Sequence, residues 1–328
     1  MKFERFIATF VMMNIVLMLI VVFSAKNEIF TETASQILFG EKVTPDFFTL
    51  SPKELERTGF IKGDTKFFDQ QMSDIFEKTN TSRGELDNLK KLPAYERSKK
   101  IVQMFSLMGD GKCMTEAALP EKINRMADKE GCANDFALVF GMLARYTGLE
   151  VRIVSNGFHE ASEVFDGEKW IYIDPYFAMT AASKDGFMSY IQFAEAMVND
   201  GWMRFEYFGG SEHCMSGKPI AEHPYFGDKQ TFASVYLYNG DNFPEIVKTQ
   251  RELSDKALFI RKSVPYKNST PELVYTEVTH SSDSILRKYV KTGMAVIALI
   301  FAGTNIMLPI YYLAGLFRRL LLRNNAKS

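Results

Sequence analysis

Two uncharged stretches bracket this chain and limit what it can become: residues 6–25 (FIATFVMMNIVLMLIVVFSA) and 292–317 (TGMAVIALIFAGTNIMLPIYYLAGLF). A helix needs about 20 apolar residues to cross a bilayer core, so each run reads as a transmembrane helix. Pro309 within the second is tolerable in a spanning helix. A cleaved signal peptide ending at Val22-Phe23-Ser24 is the rival for the first run. An uncharged run of 20 residues exceeds the usual signal core of about 7–15, so the uncleaved anchor is preferred.

Charge gives the orientation. Lys2 and Arg5 against Glu4, with Arg318, Arg319, Arg323 and Lys327, put +5 on the tails; the whole chain carries −1, which leaves −6 on residues 6–317. Short basic tails favour the cytoplasmic side. Both termini are expected there, with the large middle extracytoplasmic, or periplasmic in a bacterium. The boundaries follow as an anchor at 1–25, a helical exported region at 26–120, an enzyme-like domain with its extension at 121–289, and a C-terminal span with basic tail at 290–328. An acidic middle lacks the basic surface that phosphate contacts need, so nucleic acid is excluded as a partner.

Three cysteines, Cys113, Cys132 and Cys214, lie in the middle region. An odd number leaves at least one thiol unpaired within the chain. With Cys132 reserved for chemistry, the expected disulfide joins Cys113 to Cys214. No CxxC or HExxH spacing occurs, and His213, Cys214 and His223 read as surface residues rather than zinc ligands. No metal or organic cofactor is implied.

Before residue 131 the pattern is helical. Ser51-Pro52-Lys53-Glu54 resembles a capping box, 94–107 follows Pro93 with Ile101, Val102 and Phe105 near one face, and Pro120 opens a short helix. Asn80 and Asn268 stand in glycosylation sequons. After the block at 131–176, residues 187–198 read as a helix, 202–208 as an aromatic-rich segment and 231–238 as a strand.

That block carries the chemistry. Gly131 breaks the preceding helix, and 132–146 (CANDFALVFGMLARY) repeats its apolar residues at three and four positions until Gly148. Cys132 at the start of this helix would meet unpaired amides and the positive end of the helix dipole, which lower a thiol's pKa from about 8.5. Strands are expected at 149–155, 159–165 and 168–174, the last two joined by an Asp166-Gly167 hairpin turn. If Phe165 pairs with Glu168, His159 faces Asp174 directly across the ladder. An imidazole oriented by a carboxylate is the general base a cysteine nucleophile requires.

Gly131-Cys132 opening a helix, Arg145, the GLEVRIVS run at 148–155, His159 with Glu163-Val164, and Trp170 with Asp174-Pro175 together resemble the transglutaminase-like superfamily of papain-type cysteine enzymes. The resemblance implies an α+β papain-like domain, with the cysteine on a helix and the histidine and aspartate on an antiparallel sheet, here between two transmembrane helices. It implies Cys132 as nucleophile, His159 as general base and acid, and Asp174 as the residue orienting the imidazole. The expected activity is hydrolysis or acyl transfer at an amide or acyl bond, on a peptide, protein or glycan-linked acyl substrate. Ala161 stands where many members carry an aromatic residue, and Cys132 lies one residue farther from Gly148 than in their pattern. These departures favour the alternative of a noncatalytic binding or assembly module for a peptide or polysaccharide partner at the bilayer.

Overall fold

The computed structural model describes residues 7, 10–12, 14–16, 19, 40–42, 61, 65–79, 81–104, 109–209, 214–215, 218–219, 224–238, 240–252, 273–277, 289, 291–299, 301–303, 305–306, 310 and 315. The chain divides into two compact units, Met1–His280 and Ser281–Ser328.

Among the described residues, no helix is long and apolar enough to cross a membrane. The expected two-pass arrangement, and the placement of termini and middle on opposite sides that depended on it, are corrected accordingly. The longest described helices have 14 residues. At 1.5 Å per residue they reach about 21 Å, short of a hydrocarbon core of about 30 Å. Much of 6–25 and 292–317 lies outside the described residues. Within those runs residues 7, 10–12, 14–16, 19, 292–299, 301–303, 305–306, 310 and 315 are described, and they are helical; a lack of charge does not by itself set a helix's length. In the second unit Val296, Ile297 and Leu299 are exposed.

The first unit begins with helices whose apolar spacing selects a buried face. α1 (Thr65–Lys78) buries Phe68, Met72 and Ile75, at intervals of four and three that return to one side of the helix. α2 (Arg83–Leu89) buries Leu86. α3 (Ala94–Val102) follows Pro93 and buries Ile101 and Val102; Phe105 lies outside the described residues. α4 (Leu119–Ala127) carries Pro120 in its first turn, where a missing amide proton costs nothing. α5 (Ala133–Tyr146) is buried at every position but Ala133 and Arg145. The Ser51 capping box and both sequon asparagines fall outside the described residues.

The principal sheet has six strands in the order β1 (Gly40–Lys42), β11 (Leu273–Glu277), β10 (Ser234–Tyr238), β2 (Glu150–Ser155), β3 (Glu160–Phe165) and β4 (Trp170–Ile173). All neighbours are antiparallel except β1 and β11. A smaller antiparallel sheet joins β6 (Gly186–Phe187), β5 (Met179–Ser183) and β7 (Arg204–Tyr207), and β8 (Cys214–Met215) pairs with β9 (Lys218–Pro219). The α+β, largely antiparallel architecture expected from the sequence is present; the flanking membrane helices are the corrected part.

Alternation along β2, β3 and β4 divides the apolar residues into two cores. Val151, Ile153, Val164, Ile171 and Ile173 pack with Phe136, Val139, Phe140 and Leu143 of α5. Val154, Ala161 and Tyr172 instead join Tyr190, Phe193 and Ala194 of α6 (Tyr190–Val198). Full burial of such a side chain contributes roughly 1.5–3 kcal/mol, so helices on both faces hold the central strands rigid. On the α6 side Arg152 and Glu163, both fully buried, pair at 2.6 Å, and Glu163 also accepts the Tyr190 amide at 2.7 Å.

The β3–β4 hairpin differs from the expected register. Phe165 pairs with Trp170 and Ser162 with Ile173, so His159 and Asp174 are diagonal rather than directly opposed. The Asp166 carboxylate accepts the amides of Glu168 and Lys169, each at 2.8 Å. Asp166 therefore stands before the turn, which centres on Gly167-Glu168. The slip is two residues, and side chains alternate with period two, so both residues stay on the same face.

Candidate functional site

His159 ends the tight connection between β2 and β3. The Asn156 side-chain oxygen accepts the amides of Phe158 and His159, both at 3.1 Å, and the Asn156 amide donates to the His159 carbonyl at 3.3 Å. Asp174 follows β4 and bridges to Met179 at the start of β5. This places two polar side chains at one end of the rigid central strands.

They meet. His159 Nε2 lies 2.7 Å from Asp174 Oδ2, with His159 6% exposed and Asp174 fully buried. The carboxylate only accepts, so Nε2–H is the donor, and Nδ1 is the nitrogen able to take up and return a proton. The same Oδ2 accepts the Tyr172 hydroxyl at 2.8 Å. Oδ1 accepts the backbone amides of Tyr176 at 3.1 Å and Phe177 at 2.9 Å. Four donors thus hold a buried charge that would otherwise be costly.

Aromatic rings enclose the imidazole: Tyr225 at 4.7 Å between centroids, Phe177 at 5.0 Å and Tyr176 at 5.9 Å. The Tyr225 hydroxyl accepts from Asn156 Nδ2 at 2.8 Å, which links the turn that sets His159 to the ring beside it. Burial, followed by the nearby Asp174 charge, raises the Tyr172 phenol well above its ordinary value. Burial and then the Tyr190 phenol do the same for Tyr225. Both phenols therefore stay protonated and neutral over the range in which histidine works. Phe158, next to His159, is 71% exposed.

Cys132 is placed differently from expectation in two respects. It is the N-cap residue of α5, outside the first helical turn. Its sulfur is bonded to Cys113, with the Cα atoms 4.7 Å apart, which replaces the expected Cys113–Cys214 pair. The chain instead returns over 19 residues to close a short covalent loop. The side chain of Cys214 lies outside the described residues.

Asp135, three residues into the same helix, organises this end. Its Oδ2 accepts the Cys132 amide at 3.2 Å and the Met114 amide at 2.9 Å, and lies 3.5 Å from Cys132 Sγ. Its Oδ1 pairs with the Lys122 ammonium; both side chains are fully buried. The Gly111 amide donates to the Gly131 carbonyl and the Gly131 amide to Asp110 Oδ1, each at 3.1 Å. Gly131 has φ 105°, and a Cβ there would stand 2.8 Å from Met114 Cε. The close seating of residues 109–114 on the start of α5 depends instead on Gly109, where a Cβ would stand 2.1 Å from the Gly131 carbonyl oxygen.

The sulfurs of Cys113 and Cys132 and a carboxylate oxygen of Asp135 lie within 4.8 Å of one another. The S–S bond removes both thiolate ligands and Lys122 occupies the carboxylate, so this cluster does not fit a metal as it stands.

The structure therefore unites His159 with Asp174 and unites Cys132 with Cys113 and Asp135. Tyr176 adjoins both groups: its ring lies 5.3 Å from Phe136 in α5 and 5.9 Å from His159, and its hydroxyl donates to the Gly109 carbonyl at 3.1 Å. Sequence reasoning missed Asp135, Lys122, Tyr172, Asn156 and Tyr225. Cys132 and Asp135 have the N-cap and N3 spacing of a capping box, a signal that could have found Asp135. Lys122, on α4, has no such local mark. No family model, curated protein or solved structure matches this chain.

Proposed function

We propose that the chain is a transglutaminase-like cysteine enzyme acting on amide or acyl bonds of a peptide, protein or glycan-linked acyl substrate. The observation that carries this reading is the buried His159–Asp174 pair, with Nε2 committed to the carboxylate and Nδ1 left for proton transfer. In the reduced chain, His159 takes the Cys132 thiol proton and the thiolate attacks the carbonyl carbon. The carbon–nitrogen or carbon–oxygen bond breaks as His159 returns the proton to the leaving group, and water or an amine resolves the acyl-enzyme. Asp174 holds the imidazole tautomer throughout.

The test is reaction of the reduced chain with an activated acyl ester, read by peptide mass spectrometry. An acyl adduct on Cys132 that is lost in His159→Ala is expected. A second reading, the noncatalytic binding module, has its own support: Cys132 is bonded to Cys113, and a carboxylate lies 3.5 Å from its sulfur. No acyl adduct, or one indifferent to His159, overturns the enzyme reading in favour of that module.

A further inference from the structure

The two ends of the disulfide are unequal. Cys132 is 7% exposed, while Cys113 is only partly buried and follows the exposed residues 110–112. Cys132 sits at the amide end of a 14-residue helix. A sulfur leaving there as thiolate is stabilised by the helix's unpaired amides. Lys122 offsets the neighbouring Asp135 charge, whereas Cys113 itself lies in neither a helix nor a strand.

We propose that the Cys113–Cys132 disulfide is a redox latch on the nucleophile, opened by a dithiol reductant that attacks Cys113. This rests on the reading of Cys132 as the nucleophile. One thiolate of the reductant bonds to Cys113 Sγ, the Sγ–Sγ bond breaks, and its electron pair leaves on Cys132 as thiolate. The second reductant thiolate then attacks the sulfur bonded to Cys113, closing the reductant's own disulfide and releasing the Cys113 thiolate. The dithiol loses two electrons and two protons; the latch gains two electrons, and the protons are shared between the two cysteines and solvent according to their pKa values. The hydrogen bonds from Gly111 and Met114 to Gly131 and Asp135 keep Cys113 beside Cys132 after cleavage. An oxidising disulfide can therefore close the latch again.

The native full-length chain, without denaturant, is exposed to the monothiol glutathione, acid-quenched, alkylated with iodoacetamide and mapped by mass spectrometry. Glutathione on Cys113 with carbamidomethyl on Cys132 is expected, in excess over the reverse pattern by about tenfold. Glutathione mainly on Cys132, or no exchange until the chain is unfolded, overturns the latch. Iodoacetamide labelling of Cys132 is measured in parallel in Cys113→Ser and in dithiol-reduced wild type, each with and without His159→Ala. The reduced wild type serves if the serine variant does not fold. Exchange at Cys113 with labelling that ignores His159 leaves a reducible disulfide but removes the nucleophile, and with it the latch. Labelling that depends on His159 without native exchange removes the latch alone and retains the enzyme reading.

Discussion

Two buried carboxylates, Asp174 and Asp135, sit in this molecule under opposite arrangements. Asp174 is satisfied by two amides, a hydroxyl and an imidazole; all are neutral groups except the imidazole when protonated. Asp135 is satisfied by two amides and a lysine ammonium, beside a disulfide. A carboxylate whose counter-group can gain and lose a proton is suited to chemistry. One fixed by a permanent cation is suited to holding a backbone and a sulfur in place. On the proposed reading, the contrast separates the part of the site that acts from the part that governs access to it.

The sharpest way to break this comparison is to remove the cation. Lys122→Met leaves the Asp135 charge without its counterion, and losing one partner of a fully buried pair costs about 3–5 kcal/mol. Urea unfolding of the oxidised chain should show a loss of that size. A loss below about 1 kcal/mol would mean that Asp135 does not need the ammonium, and the two carboxylates would no longer differ in kind. Replacing both cysteines by serine comes next. Opening a loop of this length releases denatured-state entropy worth about 3 kcal/mol, measured as a lower urea midpoint in the variant than in the oxidised parent.

The two carboxylates also differ in how far the sequence exposed them. His159 and Asp174 lie 15 residues apart, just outside the two neighbouring strands of one hairpin. A period-two pattern with an Asp-Gly turn was enough to place them on one face, and the register error of two residues could not change that face. Cys113 and Lys122 reach Asp135 from a loop and a helix that earlier segments bring over the start of α5. No hydrophobic period encodes such an approach, so both the true disulfide and the buried ion pair were invisible. Periodicity locates α5 to within one residue and the start of α3 after Pro93, whereas α3 ends at Val102, before the expected 107. In the uncharged terminal runs hydropathy alone does not fix a helix's length, and no described helix is of spanning length.

Tyr172 tests the active half of the comparison more gently. Tyr172→Phe keeps the ring and removes the hydroxyl from Asp174 Oδ2, leaving no new unpaired donor. Hydrogen bonds to charged groups contribute roughly 1.5–3 kcal/mol; with His159 still on the same oxygen, the expected loss is near the lower end, about 1.5 kcal/mol. A urea midpoint equal to wild type would show that the hydroxyl does not support the dyad.

The smallest effect lies on the alkaline side, where the two halves should respond differently. Tyr172 and Tyr225 both have phenol pKa values raised well above the ordinary 10, chiefly by burial. Above about pH 10 the unfolded phenols ionise while the folded ones keep their protons, so the native state binds more protons and stability falls as pH rises. Below that value the contribution is fully present. Each tyrosine adds up to about 1.4 kcal/mol per pH unit to the decline, until the folded phenol also ionises. Urea midpoints followed from pH 9 to about pH 11 should therefore fall less steeply in Tyr172→Phe and Tyr225→Phe than in the parent. Lys122→Met should keep the parent's tyrosine-dependent slope despite its larger loss at neutral pH, because the tyrosines belong to the imidazole end. If instead the lysine variant flattens the alkaline decline as much as the tyrosine variants do, the two carboxylates are coupled through Tyr176 and must be treated as one site.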